Sequence, residues 1–150
     1  MNISAPDILL VEDSQSDVDL FMLAHQMNES AATIRVARDG IEAMEVLLGG
    51  EHRPRSAQDT LPRLVLLDLN MPRLNGFEVL ERLRADERTR QLPVVIFSAS
   101  DQRSDRLEAE RLGANGYVRK PVEFEHLCET LAQFERDWLS ADLASPHPPE

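Results

Sequence analysis

Short unbroken apolar runs alternate along the chain with longer stretches in which apolar residues recur every three or four positions. The runs read as strands at Asp7–Val11, Thr33–Ala37, Arg63–Asp68, Pro93–Phe97 and Ala114–Arg119. An apolar run without polar alternation fits a strand covered on both faces, as in a parallel sheet. Between them the spacing predicts helices. The first is capped by Ser14 or Asp13 and runs to about Asn28, with Leu20, Ala24 and Met27 facing inward. The second spans Ile41–Leu48 and is ended by Gly49-Gly50. The third spans Gly76–Ala85 with Phe77, Leu80 and Leu83 toward the sheet, and the fourth spans Asp101–Leu112, stopped by Gly113. The last carries the clearest stripe: Phe124, Leu127, Cys128, Leu131, Phe134 and Trp138. Five strand–helix units imply an α/β fold with a parallel, right-handed doubly wound sheet. Residues 51–62 are polar, contain two prolines and read as an exposed loop. Residues 1–139 are expected to form one domain, and 140–150 a disordered tail rich in proline.

Composition narrows the partners. The 150 residues carry a formal net charge of −11. This disfavours nucleic acid and anionic membrane surfaces, which both need clustered Lys and Arg. A single cysteine, Cys128, permits no intrachain disulfide and fits a reducing compartment. The first basic residue is Arg35, so no basic leader precedes the first apolar run, and a cytoplasmic location is expected. Of 16 basic residues only one is lysine, Lys120. Arg is a wide planar fork and Lys a slim point charge, so a lone Lys in an Arg-using chain points to a tight site.

The strand ends carry that site. Four of the runs finish on polar groups: Glu12-Asp13, Asp68, Ser98 and Lys120. A parallel sheet places all these ends on one edge, where open α/β sheets bind ligands. Met-Pro and Asn-Gly stop the Asp68 strand abruptly. Three neighbouring carboxylates repel and call for a cation. An all-oxygen set suits Mg²⁺, which binds through one or two carboxylates plus a phosphate. The charges of three carboxylates, a divalent ion and one ammonium cancel, so such a site accepts an incoming phosphoryl group.

These motifs resemble the receiver domain of two-component response regulators over residues 6–139: Leu-Val-Glu12-Asp13, Leu-Leu-Asp68-Leu-Asn-Met-Pro-Arg-Leu-Asn-Gly76, Ser98-Ala99 and Tyr117-Val-Arg-Lys120-Pro121. The resemblance implies a flavodoxin-like five-stranded sheet in the order 2-1-3-4-5 with five flanking helices. It implies Asp68 as phosphoacceptor, with Mg²⁺ on Asp68, Asp13, Glu12 through water, and the backbone carbonyl of Asn70. It further implies that Ser98 and Lys120 hold the transferred group, that Tyr117 swings with Ser98, and that the Lys120–Pro121 peptide is cis. On this reading the protein is a switch rather than an enzyme, with slow self-dephosphorylation only.

The long loop, the Asp-Leu-Asn-Met-Pro-Arg segment and the Phe-Glu-Arg-Asp-Trp helix end are similar to stand-alone regulators that partner phytochrome-type light-sensing histidine kinases. With 11 residues after Leu139, output through a further domain is not expected. A sensor histidine kinase of the bacteriophytochrome kind is the expected partner. Phe21 and Met22 on the first helix are candidates for its docking surface. Trp138, Leu139 and Leu143 are candidates for a homodimer surface formed with the fourth helix, fifth strand and fifth helix. Two rival readings stand beside this one. A Mg²⁺-dependent aspartyl-phosphate phosphatase would need an acid/base Asp where Asn70 stands, and a phosphorylation-independent binding module would not need the acceptor residues present here.

Overall fold

The computed structural model describes residues 5–49 and 61–139. Its strands are β1 (Ile8–Val11), β2 (Ile34–Ala37), β3 (Leu64–Leu67), β4 (Val94–Ser98) and β5 (Gly116–Arg119), and its helices α1 (Gln15–Met27), α2 (Gly40–Leu48), α3 (Gly76–Ala85), α4 (Arg103–Arg111) and α5 (Phe124–Phe134). The strands form one parallel sheet in the order β2-β1-β3-β4-β5, as the resemblance implies. The expected loop at 51–62 lies almost wholly outside the described residues, as do the tail 140–150 and Leu143.

Every residue of β1, β3 and β4 is buried, which is why these strands read as continuous apolar runs. Two cores result, one on each side of the sheet. One gathers Leu9, Val11, Val65, Leu67 and Ile96 with α2 and α3. The other gathers Leu10, Leu64, Leu66 and Phe97 with α1 and α5. In the second, Phe97 meets Phe21 and Phe134 edge-on, with ring centroids 6.4 and 5.5 Å apart.

Helix starts follow their caps. Ser14 accepts from the Asp17 N–H, Asp39 accepts from Glu42, and Asn75 with Glu78 makes a reciprocal capping box. Gly76 is required by contact rather than by conformation: a Cβ there would lie 2.4 Å from the Asp68 carbonyl oxygen. The start of α3 is thereby pressed against the end of β3.

The structure corrects three readings of helix faces. The buried side of α1 is Val18, Phe21 and Ala24, whereas Leu20 and Met27 are exposed. Apolar residues surround α1 on nearly every side, so spacing alone left its phase open, and packing against α5 chose it. Phe21 is consequently core and not a docking surface, while Met22 is exposed. At the other end, α5 passes into a π turn, Glu135–Leu139. This wider turn adds one residue, so Leu139 rather than Trp138 completes the buried face below Phe134. Leu139 is therefore core, and Trp138 is half-buried against the same cluster.

Candidate functional site

The sheet delivers its polar strand ends to one rim. The Asp68 N–H donates to the Val11 carbonyl at 3.1 Å, and the Glu12 N–H to Ala37 at 2.9 Å. The Lys120 N–H donates to the Ser98 carbonyl at 2.8 Å. Main-chain ladders thus fix where each functional side chain emerges. Glu12, Asp68 and Ser98 are all buried, while Asp13 is exposed.

Lys120 sits among carboxylates. Its Nζ lies 2.5 Å from Glu12 Oε1, 2.7 Å from Asp17 Oδ2 and 3.7 Å from Asp68 Oδ1. Asp17, in the first turn of α1, was not among the residues singled out by strand-end reasoning. It lies on a helix, and only its spacing of one turn after Asp13 hinted at its place. With Asp17 counted, the rim is one charge more negative than the sequence balance suggested.

The titration of these groups follows from their surroundings. Burial raises the Glu12 pKa to about 6, the Lys120 hydrogen bond opposes the rise, and the Asp68 charge adds to it. Burial likewise raises Asp68; Lys120 opposes this, the nearby Asp13 charge reinforces it, and the backbone N–H groups of Leu69 and Asn70 pull downward. For Lys120 burial works against the ammonium, but the bonds to Asp17 and Glu12 and the charges of Asp68 and Glu12 outweigh it, and its pKa is raised. Lys120 therefore stays charged, and Glu12 and Asp68 resist ionisation when no further cation is at hand.

One group of described residues has the donor set for a metal ion. Single oxygens of Glu12, Asp13 and Asp68 all lie within 4.8 Å of one another. Hard carboxylate oxygens fit Mg²⁺ or Mn²⁺ rather than a thiolate-seeking ion. Both Glu12 oxygens already accept hydrogen bonds, Oε1 from Lys120 and Oε2 from the Ser14 N–H at 3.1 Å. That favours Asp13 and Asp68 as direct ligands and Glu12 as a support through water. Asn70 is exposed at the same rim and, with Leu69, Met71, Asn75, Phe77 and Asp105, lines a shallow cleft.

The β4–α4 loop forms the far wall. Ser98 Oγ accepts from the Ser100 N–H at 3.3 Å, and Ser100 Oγ donates to Asp105 at 2.5 Å. The Tyr117 hydroxyl donates to the Ser100 carbonyl at 2.9 Å, and the Arg106 guanidinium lies 4.6 Å from the Tyr117 ring centre. Ser98 and Tyr117 are thus joined through one residue, Ser100. The Lys120–Pro121 peptide is not cis: every peptide bond among the described residues is trans. An X–Pro bond favours trans intrinsically by about 0.5–1 kcal/mol, and from the trans chain Lys120 already reaches its three carboxylates.

Similarity to known proteins points the same way. Residues 8–132 match the response regulator receiver domain family. The chain is 38% identical over 132 residues to the probable methanogenesis regulatory protein FilR2 of Methanothrix harundinacea, covering 88% of this chain and 83% of that one. It is 30% identical to the response regulator Rcp1 of Synechocystis, covering 88% of each. Among solved structures it is similar to the phosphorylated cyanobacterial phytochrome response regulator RcpA, with a TM-score of 0.78, 34% identity and coverage of 91% and 96%. The Mn²⁺-bound form of Rcp1 matches with a TM-score of 0.76 at 28% identity, covering 97% of this chain and 99% of that one.

Proposed function

The chain belongs to the response regulator receiver family, and we propose that it is a two-component switch whose Asp68 accepts a phosphoryl group from a sensor histidine kinase. The observation that carries this is the placement of the Asp68 carboxylate, 3.7 Å from the Lys120 ammonium and within a cluster of three carboxylate oxygens. Asp68 Oδ attacks phosphorus, a P–O bond forms, and the P–N bond to the kinase histidine breaks, leaving its electron pair on nitrogen. The Lys120 ammonium then faces the oxygens that the phosphoryl group brings. The Ser98 hydroxyl exchanges its contact with Ser100 for one with the same oxygens, and through Ser100 the change reaches Tyr117. A Mg²⁺ ion, held by Asp13, Asp68, the Asn70 carbonyl and Glu12 through water, would neutralise charge on the transferring group.

Three features support an upstream phytochrome-type kinase: the likeness to RcpA, the likeness to the bacteriophytochrome response regulator RtBRR (TM-score 0.71, 34% identity), and that to RPA3017, described in red light signalling of R. palustris (TM-score 0.80, 29% identity). No described helix is long and apolar enough to cross a membrane. Output is by protein contact, and a second copy of the chain is proposed to pack on the groove between β5 and α5 that Trp138 borders.

The test is intact-mass measurement after incubation with Mg²⁺ and acetyl phosphate. One phosphoryl adduct is expected on the wild type and none on Asp68→Asn. No adduct on the wild type, or an equal one on the variant, would overturn the reading. Sedimentation of the same two samples reads the dimer: an unchanged mass in both, equal to one chain, would remove it.

A further inference from the structure

We propose that Asp17 is a positioning residue that holds the Lys120 ammonium away from Asp68 in the resting state, and that phosphorylation releases it. The inference deepens the phosphoacceptor reading and rests on it.

The geometry is a competition among carboxylates for one cation. Lys120 Nζ is 2.7 Å from Asp17 Oδ2 but 3.7 Å from Asp68 Oδ1. The second distance is an ion pair without hydrogen-bond contact. The first is a charge-assisted hydrogen bond. The Lys120 side chain is 15% exposed, so the contest takes place largely out of water. Glu12, at 2.5 Å, is buried at the end of β1 and has no room to leave. Asp17 is different: its side chain is 39% exposed and can turn into solvent at little cost. Of the two close partners, Asp17 is the one that yields.

A phosphoryl group on Asp68 replaces a carboxylate of charge −1 with a group of about −2, whose oxygens reach further toward the rim. The nearest mobile cation is Lys120, and the path is short. A shift toward Asp68 gives up the Asp17 contact before the Glu12 one, because Asp17 is the half-exposed partner and Glu12 the buried one. The bond being lost is the tie between the first turn of α1 and the chain following β5. α1 exposes Leu20, Leu23 and Met27 within the next three turns. The state of Asp68 is thereby signalled to α1 as well as to the Ser98–Tyr117 wall, and a partner seated on α1 senses it.

The experiment uses beryllofluoride with Mg²⁺ as the phosphoryl probe on the full chain, comparing wild type, Asp17→Asn and Asp17→Glu. Asp17→Asn removes the competing charge and is expected to tighten beryllofluoride binding roughly three- to tenfold, while Asp17→Glu stays near wild type. In the wild type, amide exchange in the first turn of α1 should quicken on loading; in Asp17→Asn it should already be fast and should not change. Equal affinity for all three proteins, or wild-type exchange that does not respond to loading, would overturn the role of Asp17. Failure of the wild type to bind beryllofluoride at all would instead overturn the phosphoacceptor reading. If Asp17→Asn folds poorly, the wild-type exchange measurement alone still decides.

Discussion

The two ends of the sheet treat a half-buried cation in opposite ways. At the upper rim one ammonium, Lys120, is shared by three carboxylates at 2.5, 2.7 and 3.7 Å. Near the lower end Arg84 is held by neutral acceptors: Nε donates to the Gly113 carbonyl at 3.0 Å, Nη1 to Thr89 at 3.2 Å, and Nη2 to the Asn115 side chain at 2.9 Å. Asn115 Oδ1 in turn accepts from the Val94 N–H at 2.8 Å, so Arg84 clamps the entry to β4. Its three groups of donors have three fixed partners, and nothing competes for them. At Lys120 the carboxylates outnumber the cation, and added charge on any one of them redistributes the bonds. The lower end is built to stay; the upper end is poised to change.

Three measurements break or sharpen that contrast. The largest effect is expected from Arg84→Met, which keeps the stem and removes every donor. Leaving those acceptors without their partner should cost about 1–3 kcal/mol in urea unfolding, while beryllofluoride affinity at the rim stays within about twofold. A loss of affinity beyond that would mean that the two ends are not separate. Next comes pH. Glu12 has a folded pKa of about 6, above its ordinary 4.5, and Asp68 is also raised. The folded protein therefore binds protons that the unfolded chain releases. Without metal, stability should rise as pH falls from 7 toward 4.5, by about 1–2 kcal/mol, and be lost again as pH rises through 6. Saturating Mg²⁺ should flatten the trend. A rise of the same size in Glu12→Gln would assign it elsewhere. The smallest effect concerns the wall of the rim. A double-mutant cycle on Arg106→Gln and Tyr117→Leu should give a coupling of about 0.5–1 kcal/mol for the cation over the ring; a coupling near zero would leave the Ser100 carbonyl as the sole tether of Tyr117.

The same contrast explains what was legible in the sequence. The strands whose residues are all buried announce themselves as apolar runs, and the residues that end them, Glu12, Asp68 and Ser98, come with them. Lys120 stood out by being the only lysine. Asp17 did not, because an acid in the first turn of a helix has an ordinary reason to be there, complementing the helix dipole. Its partner is 103 residues away, and no local pattern encodes that pairing. Arg84 was equally silent among 15 arginines. The inward face of α1 was illegible for a different reason. Seven of its apolar residues spread around the helix, and Phe21 was assigned by Phe97 and α5 rather than by its neighbours in sequence. The trans Lys120–Pro121 bond shows the limit of carrying a family habit onto a single position.

The π turn at Glu135–Leu139 has a consequence for which residues close the last helix against the core. Each residue of an α-helix advances the heading by about 100°. One surplus residue therefore acts as a vernier: the end of the turn, Trp138 and Leu139, is rotated by more than a quarter of a circle from the bearing that the Phe124–Phe134 stripe would give. Deleting a single residue there would leave the helix continuous while turning Leu139 off the core that it now covers.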